Sequence, residues 1–134
     1  MHYYAASGKF KPKSVVIDGH TFPSKLEAKR YSQLKLMQAG NKISHLKPHP
    51  KLALMINGTS CGEYEADTGY IEGGRIVIEE VKGPVIKDGF FRLWRILQAL
   101  YPQYTFRLMI WRRNAFVEHG AKRERIHQKG ISSD

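Results

Sequence analysis

The segment YEADTGYIEGGRIVIEEVKG, residues 64–83, decides the fold of this chain. Gly73-Gly74 is a turn signal, and the β-branched residues that follow it predict a strand over Arg75–Lys82. A second strand is predicted over residues 63–70, before the turn, and Gly83-Pro84 ends the segment. Together these features predict a β-hairpin.

The clearest helix is predicted upstream of this hairpin, over residues 24–39. Ser24 and Glu27 have the S-x-x-E spacing of a capping box. Apolar residues recur at helical spacing and form one stripe: Leu26, Tyr31, Leu34 and Met37. Glu27 and Arg30 also project within the arc of this stripe.

Four further elements are predicted from the pattern of apolar and turn residues. A short β-like run covers residues 15–18, and a strand covers Lys51–Ile56. A second helix is predicted over residues 89–101 and a last strand over residues 105–111. Strands therefore lie on both sides of each helix in the sequence, as in α/β proteins.

The chain is predicted to form one domain, because 134 residues is a usual length for one. The order of the elements predicts an α/β domain, with a mixed central β-sheet flanked by helices, over residues 15–113. Residues 1–14 are a predicted basic N-terminal arm, and residues 114–134 are a predicted basic C-terminal tail. The composition, 42% hydrophobic and 25% charged, is typical of a globular protein.

Some classes of protein are excluded by the same survey. No apolar run approaches the roughly 18 residues of a membrane span, and the first residues contain no apolar signal core. Cys61 is the only cysteine, which excludes an internal disulfide and a cysteine-rich zinc site. We therefore expect a cytoplasmic protein with no membrane partner.

Charge gives the first indication of function. The formal net charge is +10 and the pI is about 9.8, which favours a polyanionic partner such as nucleic acid. The charge is +8 in residues 1–51, −1 in residues 52–111 and +3 in residues 112–134. Carboxylates beside phosphate repel it unless a metal lies between them, so the acidic middle suits a metal-dependent nuclease. The alternative is that basic ends and an acidic middle pair as solvated surface.

Three residues of the hairpin have the right types for phosphodiester hydrolysis. Because strand side chains alternate between faces, Glu80 and Lys82 point the same way and Glu79 points oppositely. The hairpin can bring Asp67, placed in the preceding strand, beside Glu80. Such carboxylates bind hard cations like Mg²⁺, and Lys82 could orient a water or stabilise charge in the transition state.

Glu27 has two interpretations, which the sequence leaves open. As part of the capping box, its carboxylate would accept a hydrogen bond from the backbone amide of Ser24. As a side chain facing the sheet, it would be a buried carboxylate, which requires a partner or a cation.

Four segments carry a resemblance to a known family. They are IDGHTFPSKLEAKRYSQLKLMQAG (17–40), ISHLKPHPKLAL (43–54), YEADTGYIEGGRIVIEEVKG (64–83) and LYPQYTFRLM (100–109). In order and spacing the chain resembles small phage and prophage nucleases of the PD-(D/E)XK superfamily, which look related to Holliday-junction resolvases. The most specific parts are F-x-S-K-x-E-A (22–28) and E-x-V-K-G (79–83) as a pair. Thr68 departs from the family, which usually has an aromatic residue there.

This resemblance implies an activity and a site. Asp67 and Glu80 would bind Mg²⁺ or Mn²⁺, Glu27 would join them from the first helix, and Lys82 would be the catalytic lysine. The implied substrate is branched DNA such as a four-way junction. Symmetric cutting of two strands needs two sites, which implies a homodimer, and a phage or prophage protein would act in the cytosol of its bacterial host.

Basic residues outside this site are candidates for contacts with DNA phosphates. They lie near Glu27, on the polar face of the second helix and in the two terminal segments: Lys25, Arg92, Arg95, Lys9, Lys11, Lys13, Lys122, Arg123 and Arg125. Plain solvation is the alternative for each of them. Two rival functions also stay open, namely a nonspecific or flap nuclease and a non-catalytic basic protein that binds nucleic acid.

Overall fold

The computed structural model describes residues 13–120, and the elements below belong to that range. In chain order they are β1 Val15–Ile17, β2 His20–Phe22, α1 Lys25–Ala39, β3 Ser44–Pro48, β4 Lys51–Ile56, β5 Thr59–Glu65, β6 Thr68–Glu72, β7 Arg75–Lys82, α2 Asp88–Leu100, β8 Thr105–Arg112 and β9 Ala115–Glu118. Five strands form the central sheet in the order β3-β6-β7-β8-β9. The pair β7-β8 is parallel and the other pairs are antiparallel. The prediction of an α/β domain with a mixed sheet is confirmed.

The two helices cover opposite faces of this sheet. Leu34 of α1 packs in one buried cluster with Val77, and Leu97 of α2 packs in another with Ile78. Because Val77 and Ile78 are neighbours in β7, their side chains point to opposite faces. Helix α2 is also the crossover that a parallel pair such as β7-β8 requires.

The hairpin of β6 and β7 forms as the sequence predicts. Glu72 pairs with Arg75 across the turn, and Gly73 and Gly74 have φ angles of 58° and 79°. Both turn residues are therefore in the left-handed region, which glycine adopts without a steric penalty and which tight hairpin turns require.

Helix α1 also matches its prediction. The hydroxyl of Ser24 accepts a hydrogen bond from the backbone N–H of Glu27, which satisfies one amide of the first turn. The buried positions are Ala28, Arg30, Tyr31 and Leu34, so the face predicted to contact the sheet does so. One of these four is an arginine, whose partner is described below.

The predicted strand over residues 63–70 is wrong, because the chain breaks there into two strands. β5 pairs with β4 in a separate hairpin, whereas β6 pairs with β3 and β7. Ala66 and Asp67 lie between them, where the chain leaves one sheet and enters the other. An alternating pattern continues through such a bend, so the pattern alone does not reveal it.

Three strands were not predicted at all, namely β2, β3 and β9. β3 contains His45 at a φ of 56° and ends at Pro48. Proline usually argues against a strand in a sequence, but it is tolerated in an edge strand such as β3. β9 lies in the segment predicted to be a tail, and it follows a tight turn at Arg113 and Asn114, which have φ angles of 52° and 62°. The central sheet thus continues to residue 118. Among residues 13–120, no helix is long and apolar enough to cross a membrane.

Candidate active site

The candidate site lies where β7 extends beyond its neighbour β6. The last register pair between these strands is Thr68 with Glu79, so the end of β7 has only β8 beside it. On the open side, the carboxylate Oδ2 of Asp67 accepts a hydrogen bond from the backbone N–H of Val81 over 2.7 Å. Asp67 therefore lies in the bend before β6 and not within a strand, as the sequence suggested, but it does lie beside Glu80.

Glu80 and Lys82 share one face of β7, as strand alternation predicts. Lys82 Nζ is 3.5 Å from Glu80 Oε2, and the Lys82 side chain is 33% exposed while that of Glu80 is 8% exposed. Lys82 Nζ also lies 4.6 Å from the centre of the Phe90 ring at the start of α2, a distance typical of a cation–π contact. The lysine is thus held near the carboxylate while part of it faces solvent.

Glu79 points to the opposite face, and this resolves which glutamate of the pair belongs to the site. Its side chain is fully buried and bonds to Arg30 of α1. Thr68, where the chain departs from the resembled family, is also buried and pairs with Glu79 across the sheet. Glu80 is accordingly the glutamate that lies beside Asp67 and Lys82.

Glu27 serves as a helix cap and also lies near Asp67. Its carboxylate accepts a hydrogen bond from the hydroxyl of Ser24 over 3.2 Å, where the capping-box pattern predicts the backbone amide. The Glu27 carboxylate also raises the pKa of Asp67, through its negative charge and through a side-chain hydrogen bond. The two interpretations of Glu27 are therefore compatible.

The three carboxylates create a strong electrostatic conflict. Burial, followed by the charges of Glu80 and Glu27, raises the pKa of Asp67 to about 9, although the Val81 amide opposes this. Burial also raises the pKa of Glu80, against the opposing effects of Tyr64 and Lys82. Without a cation, these surroundings favour the neutral form of the Asp67 carboxyl, since the fold offers too little positive charge to hold the cluster fully ionised.

Tyr64 is a site residue that the sequence did not reveal. Its hydroxyl donates a hydrogen bond to Glu80 Oε1 over 2.6 Å, and burial followed by the charge of Glu80 raises the pKa of Tyr64. Tyr64 belongs to β5, in the other hairpin, and only the packing of that hairpin brings it to β7. A tyrosine in a strand is usually a core residue, so the sequence holds no signal for this contact.

The donor set suits a hard divalent cation, which prefers carboxylate oxygens. Asp67, Glu80 and Glu27 would hold it, and the raised pKa values of Asp67 and Glu80, which mark buried carboxylates short of positive charge, are the observation that fits such an ion. Within the described range, no group of three or more His, Cys, Asp or Glu side chains already has its donor atoms arranged around one metal position. The carboxylates instead bond to Val81, Tyr64 and Ser24.

The predicted DNA-contacting residues are only partly within the described range. Lys13, Lys25, Arg92 and Arg95 are exposed, and Lys25 lies two positions before Glu27 at the start of α1. The other five, in the terminal segments, lie outside residues 13–120: Lys9, Lys11, Lys122, Arg123 and Arg125.

Two cavities lie away from the four proposed catalytic residues. Arg95 and His119 line a groove of about 300 Å³ between α2 and the end of β9. An apolar cavity of about 270 Å³ is lined by Leu52, Ile78 and Tyr104 among others. Neither contains a residue of the carboxylate cluster, which lies instead at the open edge of β7.

Comparisons with known proteins give one family and one structure. The model of a family described as "Protein of unknown function (DUF1064)" matches residues 7–112. A solved structure described as "Crystal structure of SSO0001" is similar at 14% identity and a TM-score of 0.44, over 81% of this chain and 60% of that one. The chain thus spans about 60% of the length of that structure. No curated protein matches the chain.

Proposed function

The chain belongs to the family described as "Protein of unknown function (DUF1064)", and we propose that it is a metal-dependent endonuclease that hydrolyses phosphodiester bonds in DNA. One observation carries this proposal. Asp67 bonds to the backbone beside Glu80, the carboxylates of Glu80 and Glu27 lie close enough to raise its pKa, and Lys82 lies beside Glu80 at an accessible strand end. Buried like charges destabilise the fold. A cation would neutralise these carboxylates and could bind a phosphate of the substrate at the same time.

The position of the cluster in the fold supports the same function. Lys82 is the last residue of β7, which is parallel to β8. In α/β sheets, ligands bind outside the carboxyl ends of the parallel strands, where side chains from several elements can reach one point. Asp67 reaches this point because β6 begins too late to cover the end of β7.

Each side chain has a role that its surroundings allow. Asp67, Glu80 and Glu27 would hold Mg²⁺ or Mn²⁺, which supplies polarisation of the phosphoryl group and a lower pKa for the attacking water. Lys82, partly exposed and held by Glu80, orients that water or stabilises the charge that develops on the phosphoryl oxygens. Tyr64 keeps the Glu80 carboxylate in place through its short hydrogen bond.

The substrate and assembly are proposed from the resemblance to resolvase-like nucleases. We propose branched DNA, such as a four-way junction, as the preferred substrate in phage recombination or replication in a bacterial cytosol. Symmetric cleavage of two strands would then require a homodimer. The net charge of +10 supports DNA as the partner but does not distinguish branched from linear DNA.

A nicking assay tests the activity. The purified chain is incubated with labelled linear, flap and four-way-junction DNA, in Mg²⁺, Mn²⁺ or EDTA. We expect cleavage that needs metal and is abolished by Asp67→Asn and by Lys82→Ala. Glu63→Gln and Lys51→Ala are the matched controls. These two residues form an ion pair on the β4–β5 hairpin, and each side chain is 60% exposed, so both variants should keep activity.

The outcomes of this assay separate the alternatives. Tight binding without cleavage under any metal would contradict the enzyme and favour a non-catalytic, basic DNA-binding protein. Equal cleavage of linear and branched DNA would identify a nonspecific nuclease. Preferential cleavage of the flap substrate would identify a flap nuclease. Cleavage that survives Asp67→Asn would remove the proposed site while leaving the activity to be located elsewhere.

A further inference from the structure

We propose that Arg30 is a positioning residue, whose two-pronged ion pair with Glu79 holds the helix that carries Glu27 against the strand that carries Glu80. This inference rests on the proposed function, because it concerns how the metal-binding carboxylates are kept together. Among the hydrogen bonds and ion pairs of residues 13–120, none joins Arg30 to a proposed metal-binding residue.

The ion pair is buried between α1 and β7. Arg30 Nε donates to Glu79 Oε2 over 2.7 Å, and Nη2 donates to Glu79 Oε1 over 3.0 Å. The side chains are 10% and 0% exposed. Two parallel hydrogen bonds from a planar guanidinium fix both the distance and the angle between helix and strand, which a single contact does not.

The pair lies one step from the site on each element. Arg30 follows Glu27 by three residues, so the two side chains share one face of α1. Glu79 directly precedes Glu80 and points to the other face of β7. Movement of α1 by a single residue would shift Glu27 by about 1.5 Å along its axis, and metal sites tolerate only about 0.5 Å.

Glu79 is also fixed from the sheet side. The Tyr70 hydroxyl donates to Glu79 Oε1 over 2.6 Å, and Arg107 Nη1 donates to the Tyr70 hydroxyl over 2.9 Å. Glu79 therefore cannot turn to follow a displaced helix without losing several hydrogen bonds. A buried ion pair adds little net stability, because the cost of removing both charges from water offsets their attraction. We therefore assign to this ion pair the role of fixing the position of α1 relative to β7.

The test measures the Mn²⁺ affinity of the full chain and of three variants by titration calorimetry, with thermal unfolding as the check on folding. Arg30→Lys keeps the positive charge and removes the guanidinium that makes two parallel hydrogen bonds. The double variant Arg30→Met/Glu79→Gln removes both charges, and its amide oxygen still accepts from Tyr70. Arg75→Lys is the control, because it removes a guanidinium hydrogen bond to Thr105 at the start of β7, away from the open end of that strand.

We expect both Arg30 variants to bind Mn²⁺ about tenfold more weakly, as changes just outside a metal site do, and the control to bind it as the unsubstituted chain does. Saturating Mn²⁺ should restore nicking to both Arg30 variants, since their metal ligands are intact. If Arg30→Lys does not fold, the double variant alone decides.

Three results would overturn this role. A folded double variant that binds Mn²⁺ as tightly as the unsubstituted chain would show that the ion pair does not position the site. Equal weakening in Arg75→Lys would assign the effect to general packing. Absence of Mn²⁺ binding in the unsubstituted chain would refute the proposed function itself, which is a different failure from the first two.

Discussion

At the scale of single residues, Asp67 shows how the fold places a carboxyl where it is least stable as an anion. It is buried, two other carboxylates lie close to it, and one backbone amide is its hydrogen-bond donor. A side chain in this position weakens the folded protein unless a cation binds. Under the proposed function, the loss of stability without metal and the ability to bind metal would both follow from this geometry.

The raised pKa of Asp67 predicts how stability depends on pH. Because this pKa rises from 3.8 to about 9 on folding, the folded state holds a proton that the unfolded state releases between these values, so stability falls as pH rises through that window. We expect Asp67→Asn, in EDTA at pH 8, to raise the free energy of unfolding and to flatten its pH dependence. Denaturant unfolding between pH 5 and 9 measures this.

Glu63→Gln is the control for that measurement, since Glu63 is exposed. It should leave the pH profile unchanged. An Asp67→Asn variant that is less stable than the unsubstituted chain at pH 8 would mean that Asp67 is ionised and well paired in the folded state.

Tyr64 gives a second prediction at this scale. Tyr64→Phe removes the hydrogen bond to Glu80 and leaves the ring, so we expect Mn²⁺ affinity to fall about tenfold. Tyr101→Phe removes an equally short bond, 2.6 Å to the carbonyl of Ala53, away from the site. It should reduce stability and not metal affinity, and similar Mn²⁺ affinities in the two variants would argue against a role for Tyr64.

At the scale of elements, the site depends on where strands and helices begin and end. Helix α1 begins at Lys25, so Glu27 lies in its first turn, and β6 begins at Thr68, so the end of β7 is uncovered. A later start of α1 or an earlier start of β6 would close the site. The capping residue Ser24 and the bend at Asp67 are thus part of the site's construction.

The first turn of α1 separates capping from activity. Ser24→Ala removes the hydroxyl that accepts from the Glu27 amide and donates to the Glu27 carboxylate, so it should cost about 1 kcal/mol of stability and reduce nicking without abolishing it. Glu27→Gln keeps a side chain of the same shape and should change stability by less than about 1 kcal/mol, but nearly abolish nicking. Thermal unfolding and the nicking assay on both variants check this, and full activity in Glu27→Gln would make it a cap only.

At the scale of the whole molecule, charge and topology act together. The acidic cluster lies within a chain of net charge +10, so under the proposed function the basic surface would attract DNA while the carboxylates would repel it locally until a cation binds. Lys25, exposed at the start of α1 near Glu27, is a described residue on that surface.

This charge predicts a steep dependence of DNA binding on salt. In a buffer without metal, the logarithm of the association constant should fall linearly with the logarithm of salt concentration, because each phosphate contact releases condensed counterions. Fluorescence anisotropy between 50 and 200 mM salt measures the slope. Lys25→Ala should lower its magnitude by about one, whereas an unchanged slope would show that Lys25 does not contact phosphate.

The sequence by itself determined the features that depend on neighbouring residues. The helix cap at Ser24, the stripe on α1 and the glycine turn of the β6–β7 hairpin are local, and each was predicted correctly, although Glu27 bonds to the hydroxyl of Ser24 and not to its backbone amide. Strand alternation likewise separated Glu80 and Lys82 from Glu79. The predicted DNA contacts in the terminal segments lie outside the described residues and stay predictions, as do the substrate and the homodimer.

Only the tertiary structure decided the features that depend on distant partners. The bend at Asp67 exists because β5 and β6 belong to different sheets, and Tyr64 reaches Glu80 because one hairpin packs against the other. The ion pair of Arg30 and Glu79 joins residues 49 positions apart. Local patterns report periodicity and turns, whereas these contacts depend on how separate elements pack, which no short segment of sequence specifies.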